Sequence, residues 1–191
     1  MSYIGKFPTA VPLTSGDITN GIITSAKLAA GVGGKVLQVV QATKTNTFES
    51  TSTSFVDITD YNVAITPSSS SNKVLIQGFL TVSGNTWSTT GLYFQLVRGS
   101  TNILTSSGSS NNGTFVYAHE ASSESGSKKG ISPCHFSFLD SPSTTSATTY
   151  KVQGKTSTGS NGEFVINYME QQGVNFTGTS SIIAMEISAW L

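Results

Sequence analysis

Lys73-Val-Leu-Ile-Gln-Gly-Phe-Leu-Thr-Val-Ser83 is the stretch that decides the fold. Val74, Ile76, Leu80 and Val82 recur at even spacing, which puts them on one face of an extended strand. Leu75 and Phe79 occupy odd positions and make the opposite face apolar as well. An antiparallel strand with one face in water alternates apolar with polar. A strand apolar on both faces needs cover on both.

The same texture runs outward in both directions. Val36 and Val40 alternate with Leu37 and Val39, and Leu92, Phe94 and Leu96 oppose Tyr93 and Val97. Near the end of the chain Ile183, Met185, Ile187, Ala189 and Leu191 share one face, and Ile182, Ala184 and Trp190 the other. Strands are predicted at about 35–44, 53–58, 61–66, 73–83, 91–98, 101–105, 114–118, 131–139, 147–155, 162–169 and 180–190. Turn clusters such as Pro67-Ser-Ser-Ser-Ser-Asn and Gly159-Ser-Asn-Gly separate them. No long window carries a 3.6-residue apolar period. The expectation is an all-β protein, an antiparallel β-sandwich of jelly-roll-like type, with other sandwich topologies left open. In a small domain the second apolar face is covered by another subunit, and closed cyclic symmetry supplies that cover. The competing expectation is a third layer made from the chain's own loops.

Composition narrows the class. Charged residues are 10% of the 191, against a usual ~25%. Ser and Thr make up roughly three residues in ten, well above average usage. Ten basic residues balance ten acidic ones, which argues against a nucleic-acid partner held by counterion release. Zero net charge also removes the self-repulsion that keeps small proteins apart. No stretch approaches the ~18 apolar residues of a membrane span, and the N-terminus lacks the apolar core of a secretory signal. The single cysteine, Cys134, allows no intrachain disulfide. These features predict a chain made in a reducing host cytoplasm and stabilised by packing. Asn112-Gly-Thr and Asn175-Phe-Thr read as chance matches to the glycosylation pattern.

Three segments follow: an extended arm over 1–15, a connector over 16–34, and a β-domain over 35–191. Pro8 and Pro12 keep the arm out of helix. Tyr3, Ile4, Phe7, Val11 and Leu13 are apolar with no core of their own, which suits docking along another protein. In the connector, Asn20-Gly21 is a turn signal, and Ile18, Ile22, Ile23 and Leu28 are apolar anchors on a segment too short to bury them alone. Ser25-Ala-Lys-Leu-Ala-Ala suits one or two helical turns, capped by Thr24 or Ser25 and stopped by Gly31.

Gly16-Asp-Ile-Thr-Asn-Gly-Ile-Ile-Thr-Ser-Ala-Lys-Leu-Ala-Ala-Gly31 resembles a segment near the N-termini of bacteriophage tail fibres and related virion proteins. That resemblance implies a particle-attachment end before it and an exposed domain after it. It also assigns Asp17, Ile18, Ile22, Ile23 and Leu28 to contacts between three chains. Leu96-Val-Arg-Gly-Ser-Thr-Asn-Ile and the stretch from Phe136 to Gln153 look like parts of phage head domains, which are broadly similar to trimeric jelly rolls of the tumour-necrosis-factor type. The connector pattern occurs once, which favours a short stalk with a knob over a long shaft.

Chemistry is sparse. Cys134 and His135 are adjacent, and neighbours on a strand point to opposite faces, so they do not meet one ion or substrate. Cys134 shares its face with Phe136 and Phe138 and reads as a small core hydrophobe. His119 lies fifteen residues or more from His135 with no cysteine cluster, so zinc spacing is absent. Asp57 and Asp60 suit turn or capping roles. Glu163 and Glu170 have no acid or base beside them in sequence, although glycosidase carboxylates are distant in sequence by nature. The glycine-rich Gly31-Val-Gly-Gly lacks a P-loop lysine. The reading is no enzyme, no cofactor and no metal. Trp87, Asn111 and Asn112 form a candidate ligand contact, because an aromatic ring among hydroxyls and amides suits a sugar.

Together these readings give a non-enzymatic virion protein. The expectation is a short homotrimeric fibre or spike, anchored to the tail or capsid by its arm and presenting a knob to a host-surface glycan or protein. A capsid head-decoration or cement protein is the alternative. Neither needs nucleic acid or membrane insertion.

Overall fold

A rolled antiparallel ribbon explains the order of the strands. The computed structural model describes residues 35–86, 90–104, 115–119, 129–157, 162–171 and 173–189. The elements are β1 (Val36–Lys44), β2 (Phe48–Ser50), β3 (Val56–Ile65), β4 (Lys73–Thr86), β5 (Thr90–Arg98), β6 (Thr101–Asn102), β7 (Phe115–His119), β8 (Lys129–Asp140), β9 (Thr148–Thr156), β10 (Gly162–Ile166), β11 (Tyr168–Gln171), β12 (Val174–Thr177) and β13 (Ser180–Ile187). Several run end to end along the same neighbour. β13 pairs the first half of β4 and β10 its second half, so these two form one interrupted line. β1 and β2 continue one another beside them, and β6 and β7 do the same beside β5.

Among the described residues eight strand lines result. Sheet one carries them in the order 6-3-8-1 (β8, β4, β13 with β10, β1 with β2), and sheet two in the order 2-7-4-5 (β3, β9, β5, β6 with β7). Line 1 therefore pairs with 8, 2 with 7, 3 with 6 and 4 with 5. That is the pairing of a long hairpin wrapped over itself, the jelly roll. The protein is an all-β antiparallel sandwich, as its strand periods predict.

The core lies between the sheets. Val74, Ile76, Leu80, Val82, Ile182 and Ala184 from sheet one meet Ile58, Tyr61, Leu92, Phe94, Tyr150 and Val152 from sheet two, all buried. Phe94 and Phe164 meet edge to face at 5.5 Å, a geometry the ring quadrupoles favour. Cys134 is half-buried on this inner side against the same core, and burial pushes its thiol up to about 11. The Tyr61 hydroxyl lies 2.9 Å from the Phe79 carbonyl and 2.8 Å from that of Ser181.

One end of the sandwich is closed by two carboxylates on either side of Val74. Asp140 takes both contacts from Arg98 Nη1, at 2.8 and 2.9 Å, and a hydrogen bond from the Tyr150 hydroxyl at 2.8 Å. This joins sheet two to sheet one. Glu186 accepts from the Ser68 amide, the Ser68 hydroxyl and the Asn72 amide at 2.6, 2.7 and 2.7 Å, and so holds the turn before β4.

Some expectations change. The two strands predicted at 53–58 and 61–66 are one bulged strand, β3, with Asp60 at φ 60° in the bulge. Asp60 therefore sits inside a strand rather than at its end, and Asp57 pairs with Lys151 across the sheet at 2.7 Å. A second bulge, at Leu37, puts Val36 and Val39 on the same face instead of opposite ones. The strand predicted at 162–169 stops at Ile166, where Asn167 adopts φ 63°.

Candidate assembly surface

The two outer faces differ in chemistry. On sheet two the outward side chains form a hydrogen-bonded polar row. Asn102 donates to Gln95 at 2.7 Å, Gln95 to Gln153 at 2.6 Å, and Gln153 to Asp57 at 2.7 Å. Bonds from Lys151 and Gln153 hold the Asp57 carboxyl below its ordinary range. Lys155 lies over the Phe55 and Tyr93 rings at 4.9 and 5.3 Å. Polar groups so satisfied lose little by facing water.

On sheet one the outward row is apolar. The register places Val39 opposite Met185, Met185 opposite Leu75, and Leu75 opposite Leu139, a ladder across four strands. Its two ends are open: Val39 is 59% exposed and Leu139 54%. Val36, exposed, and Ile187, half-buried, flank it on the same face. Of the described outward residues between Val36 and Phe79 on these strands, only Lys73 is cationic, and it bonds Ser141 at 2.6 Å. Beside the ladder lies an open groove of about 520 Å³, lined by Gln77, Phe79, His135, Phe136, Ser137 and Ile183. Phe79 and His135 form a tilted ring pair at 5.9 Å.

The chain covers the other end of this face itself. The hairpin β11–β12 leaves line 8 at Asn167 and returns at Ser180. The buried Ser83 donates from its hydroxyl to the Tyr168 carbonyl. Asn167 fixes the hairpin's base: its amide N donates to the Thr81 carbonyl at 2.9 Å, and its side-chain amide donates to the Lys44 and Asn46 carbonyls at 2.9 and 3.2 Å. Ser180 donates to Asn167 Oδ1 at 2.6 Å, and Gly178 N to the Asn167 carbonyl at 3.0 Å. A third layer from the chain's own segments thus exists, but only over one end.

No protein-family model matches the chain, and no curated protein matches it in sequence. Among solved structures, the infectious bursal disease virus VP2 subviral particle is similar with a TM-score of 0.38 and 15% identity, over 80% of this chain and 37% of that one. The Gt strain of the same virus gives 0.36 and 15%, over 97% and 47%. Its T13 viral particle gives 0.34 and 16%, over 82% and 36%. The chain spans less than half the length of each. Likenesses this distant decide nothing about activity.

Several predicted site residues fall outside the described residues: Tyr3, Ile4, Phe7, Val11 and Leu13 of the arm, Asp17, Ile18, Ile22, Ile23 and Leu28 of the connector, and Trp87, Asn111 and Asn112. His135 stands exposed on the outer face of sheet one, opposite in sense to Cys134. Glu163 lies on β10 and the exposed Glu170 on β11. Among the described residues no three His, Cys, Asp or Glu cluster as metal ligands, and no helix is long and apolar enough to cross a membrane. Leu139, the groove and the hairpin escape a reading of the sequence alone. The alternation of Val174 and Phe176 beyond Gly173 is the signal that marks the hairpin.

Proposed function

We propose that this chain is a non-enzymatic virion structural protein that works as a self-assembled knob, a homotrimer carried on a short stalk. The observation that supports it most is the contrast between two rows on the outer faces: a hydrogen-bonded polar row on sheet two, and an apolar row with open ends on sheet one. Four strands about 4.8 Å apart and eight residues long at about 3.3 Å each present on the order of 500 Å² in projection. The apolar row takes up part of that area, of the size that on a monomer is often functional, and the whole face approaches the ~800 Å² that each partner gives to an ordinary interface. With few charges on it, such a face suffers little repulsion or desolvation cost when another subunit covers it.

The resemblance of residues 16–31 to the connector of phage fibres supplies the rest of the reading. The arm docks in the particle through Tyr3, Ile4, Phe7, Val11 and Leu13, the connector gathers three chains, and the knob projects toward the host surface. Three weak sites per knob, repeated around a particle, give avidity without strong single contacts. Trp87, Asn111 and Asn112 are the assigned glycan or protein contacts.

Imaging of labelled protein on intact particles tests the location. Label at the tail, with saturable adsorption of the isolated knob to host cells, is the expected result. Label at three-fold positions of the capsid, with no adsorption, replaces the fibre with a decoration protein. A full-length sample that sediments as a single subunit at micromolar concentration overturns the assembly reading.

A further inference from the structure

We propose that the β11–β12 hairpin is a knob that seats in the groove beside Phe79 on a second copy of this chain. The inference rests on the self-assembly reading above and names the contact that makes it.

The hairpin is amphipathic in two strands. Met169 pairs with Phe176 and Gln171 with Val174, so Met169, Phe176 and Val174 share one side. Tyr168, Glu170, Asn175 and Thr177 share the other, where the Tyr168 hydroxyl donates to Asn175 Oδ1 at 2.9 Å. The apolar side is open to solvent: Val174 is 54% exposed and Phe176 44%. All of β12 is exposed, and neither strand adds a residue to the core cluster. Such an insertion costs chain entropy, yet its base is tied by the hydrogen bonds of Asn167, Ser180 and Thr81. Fixing two exposed apolar side chains on a rigid base lowers the entropy lost when they bind.

The groove is the matching half. Phe79 and Ile183 supply apolar wall, and Gln77 and Ser137, joined by a 3.3 Å hydrogen bond, supply rim. Among the described residues that line it there is no carboxylate, lysine or arginine, and the described residues of the knob's apolar side carry no formal charge. Only His135 on the groove wall could meet a charge, so an uncharged apolar segment suits the groove better than a strongly charged one. Knob and groove lie on one chain, so every copy supplies both in equal number, and the groove adjoins the apolar ladder already assigned to the copy interface. The contact joins different patches, which makes it heterologous and able to close into a ring.

Sedimentation velocity on the full chain tests this with two variants at exposed positions, Phe176→Asp in the knob and Ser137→Arg in the groove. Each is expected to weaken assembly at least about tenfold, as loss of an anchor side chain does, with an unchanged circular dichroism spectrum. An equimolar mixture retains one intact knob and one intact groove, so a pair of subunits is expected to return that neither variant forms alone. If both variants assemble like the wild type while Val39→Lys with Leu139→Lys dissociates, the knob-and-groove contact is overturned and the assembly reading stands. No recovery on mixing also overturns it. A wild-type single subunit removes both.

Discussion

At Gly78 the absence of a side chain is what lets two neighbours close in. A Cβ there would lie 2.6 Å from the Ser181 carbonyl oxygen and 2.7 Å from Phe136 Cζ. The carbonyl belongs to the paired strand and cannot turn away. Gly78→Ala is therefore expected to destabilise the fold by about 1–3 kcal/mol, read as a lower urea midpoint with unchanged slope. Glu186 makes a pH prediction at the same scale. Burial alone pushes its carboxyl up, but hydrogen bonds from Asn72 and Ser68, with further bonds from the Ser68 and Ser69 backbone, outweigh that and hold it below its ordinary value. A depressed folded pKa contributes stability that is full above the unfolded value of about 4.3 and is lost as the pH falls through the folded one. Stability should thus drop on acidification below about pH 5. The part owed to this group should vanish in Glu186→Gln, whose deficit relative to wild type shrinks toward pH 3. A deficit constant across that range would mean that the carboxylate's charge has no part in holding the turn.

At the level of elements, the interrupted line 8 depends on Asn167. A non-glycine residue at positive φ is uncommon, and asparagine is among the few that tolerate it. The side chain also satisfies two carbonyls and a hydroxyl. Asn167→Gly keeps the backbone freedom and loses these bonds, at an expected cost of about 1–3 kcal/mol. Asn167→Ala loses both and should cost about 1 kcal/mol more. Limited proteolysis should cut near Gly173 faster in both variants, and equal cutting in wild type and variants would remove Asn167 from its role as pivot. This element shows where reading the sequence stops. The period-two pattern of β4, β5 and β13 is legible because each buries a full inner face. β2 is three residues long and leaves no hydrophobic period to read, and β12, exposed throughout, carries only the short alternation of Val174 and Phe176. Asn167 looks like any asparagine until its backbone is seen, and the apparent strand at 162–169 continues straight through it. The jelly-roll order depends on pairing β1 with β13, residues about 140 positions apart, and no local signal carries that. The doubly apolar faces of β4 and β13 were legible. The row that Val39, Met185, Leu75 and Leu139 make together depends on register, so it was not.

For the whole molecule, the decisive contrast is between a face suited to water and a face suited to another copy. Val39 and Leu139 end the apolar row on β1 and β8 and are both more than half exposed, so replacing them leaves the core untouched. Val39→Lys with Leu139→Lys puts two charges on a face that another subunit covers, where the cost of desolvating them and the lost apolar burial act together. The expected outcome is a shift from assembled to single subunits in sedimentation velocity, with a thermal midpoint for the β-domain that stays within a few degrees of wild type. Asn62→Lys on the outer face of sheet two, also exposed, is the control and should leave the mass unchanged. The same reasoning extends to truncation. Val36–Trp190 forms a compact unit of its own, and the apolar row lies wholly within it, so residues 35–191 alone are expected to fold and to remain assembled. If that fragment folds but sediments as a single subunit while the full chain does not, residues 1–34 hold the copies together, and the apolar row is a passive surface that assembly happens to cover.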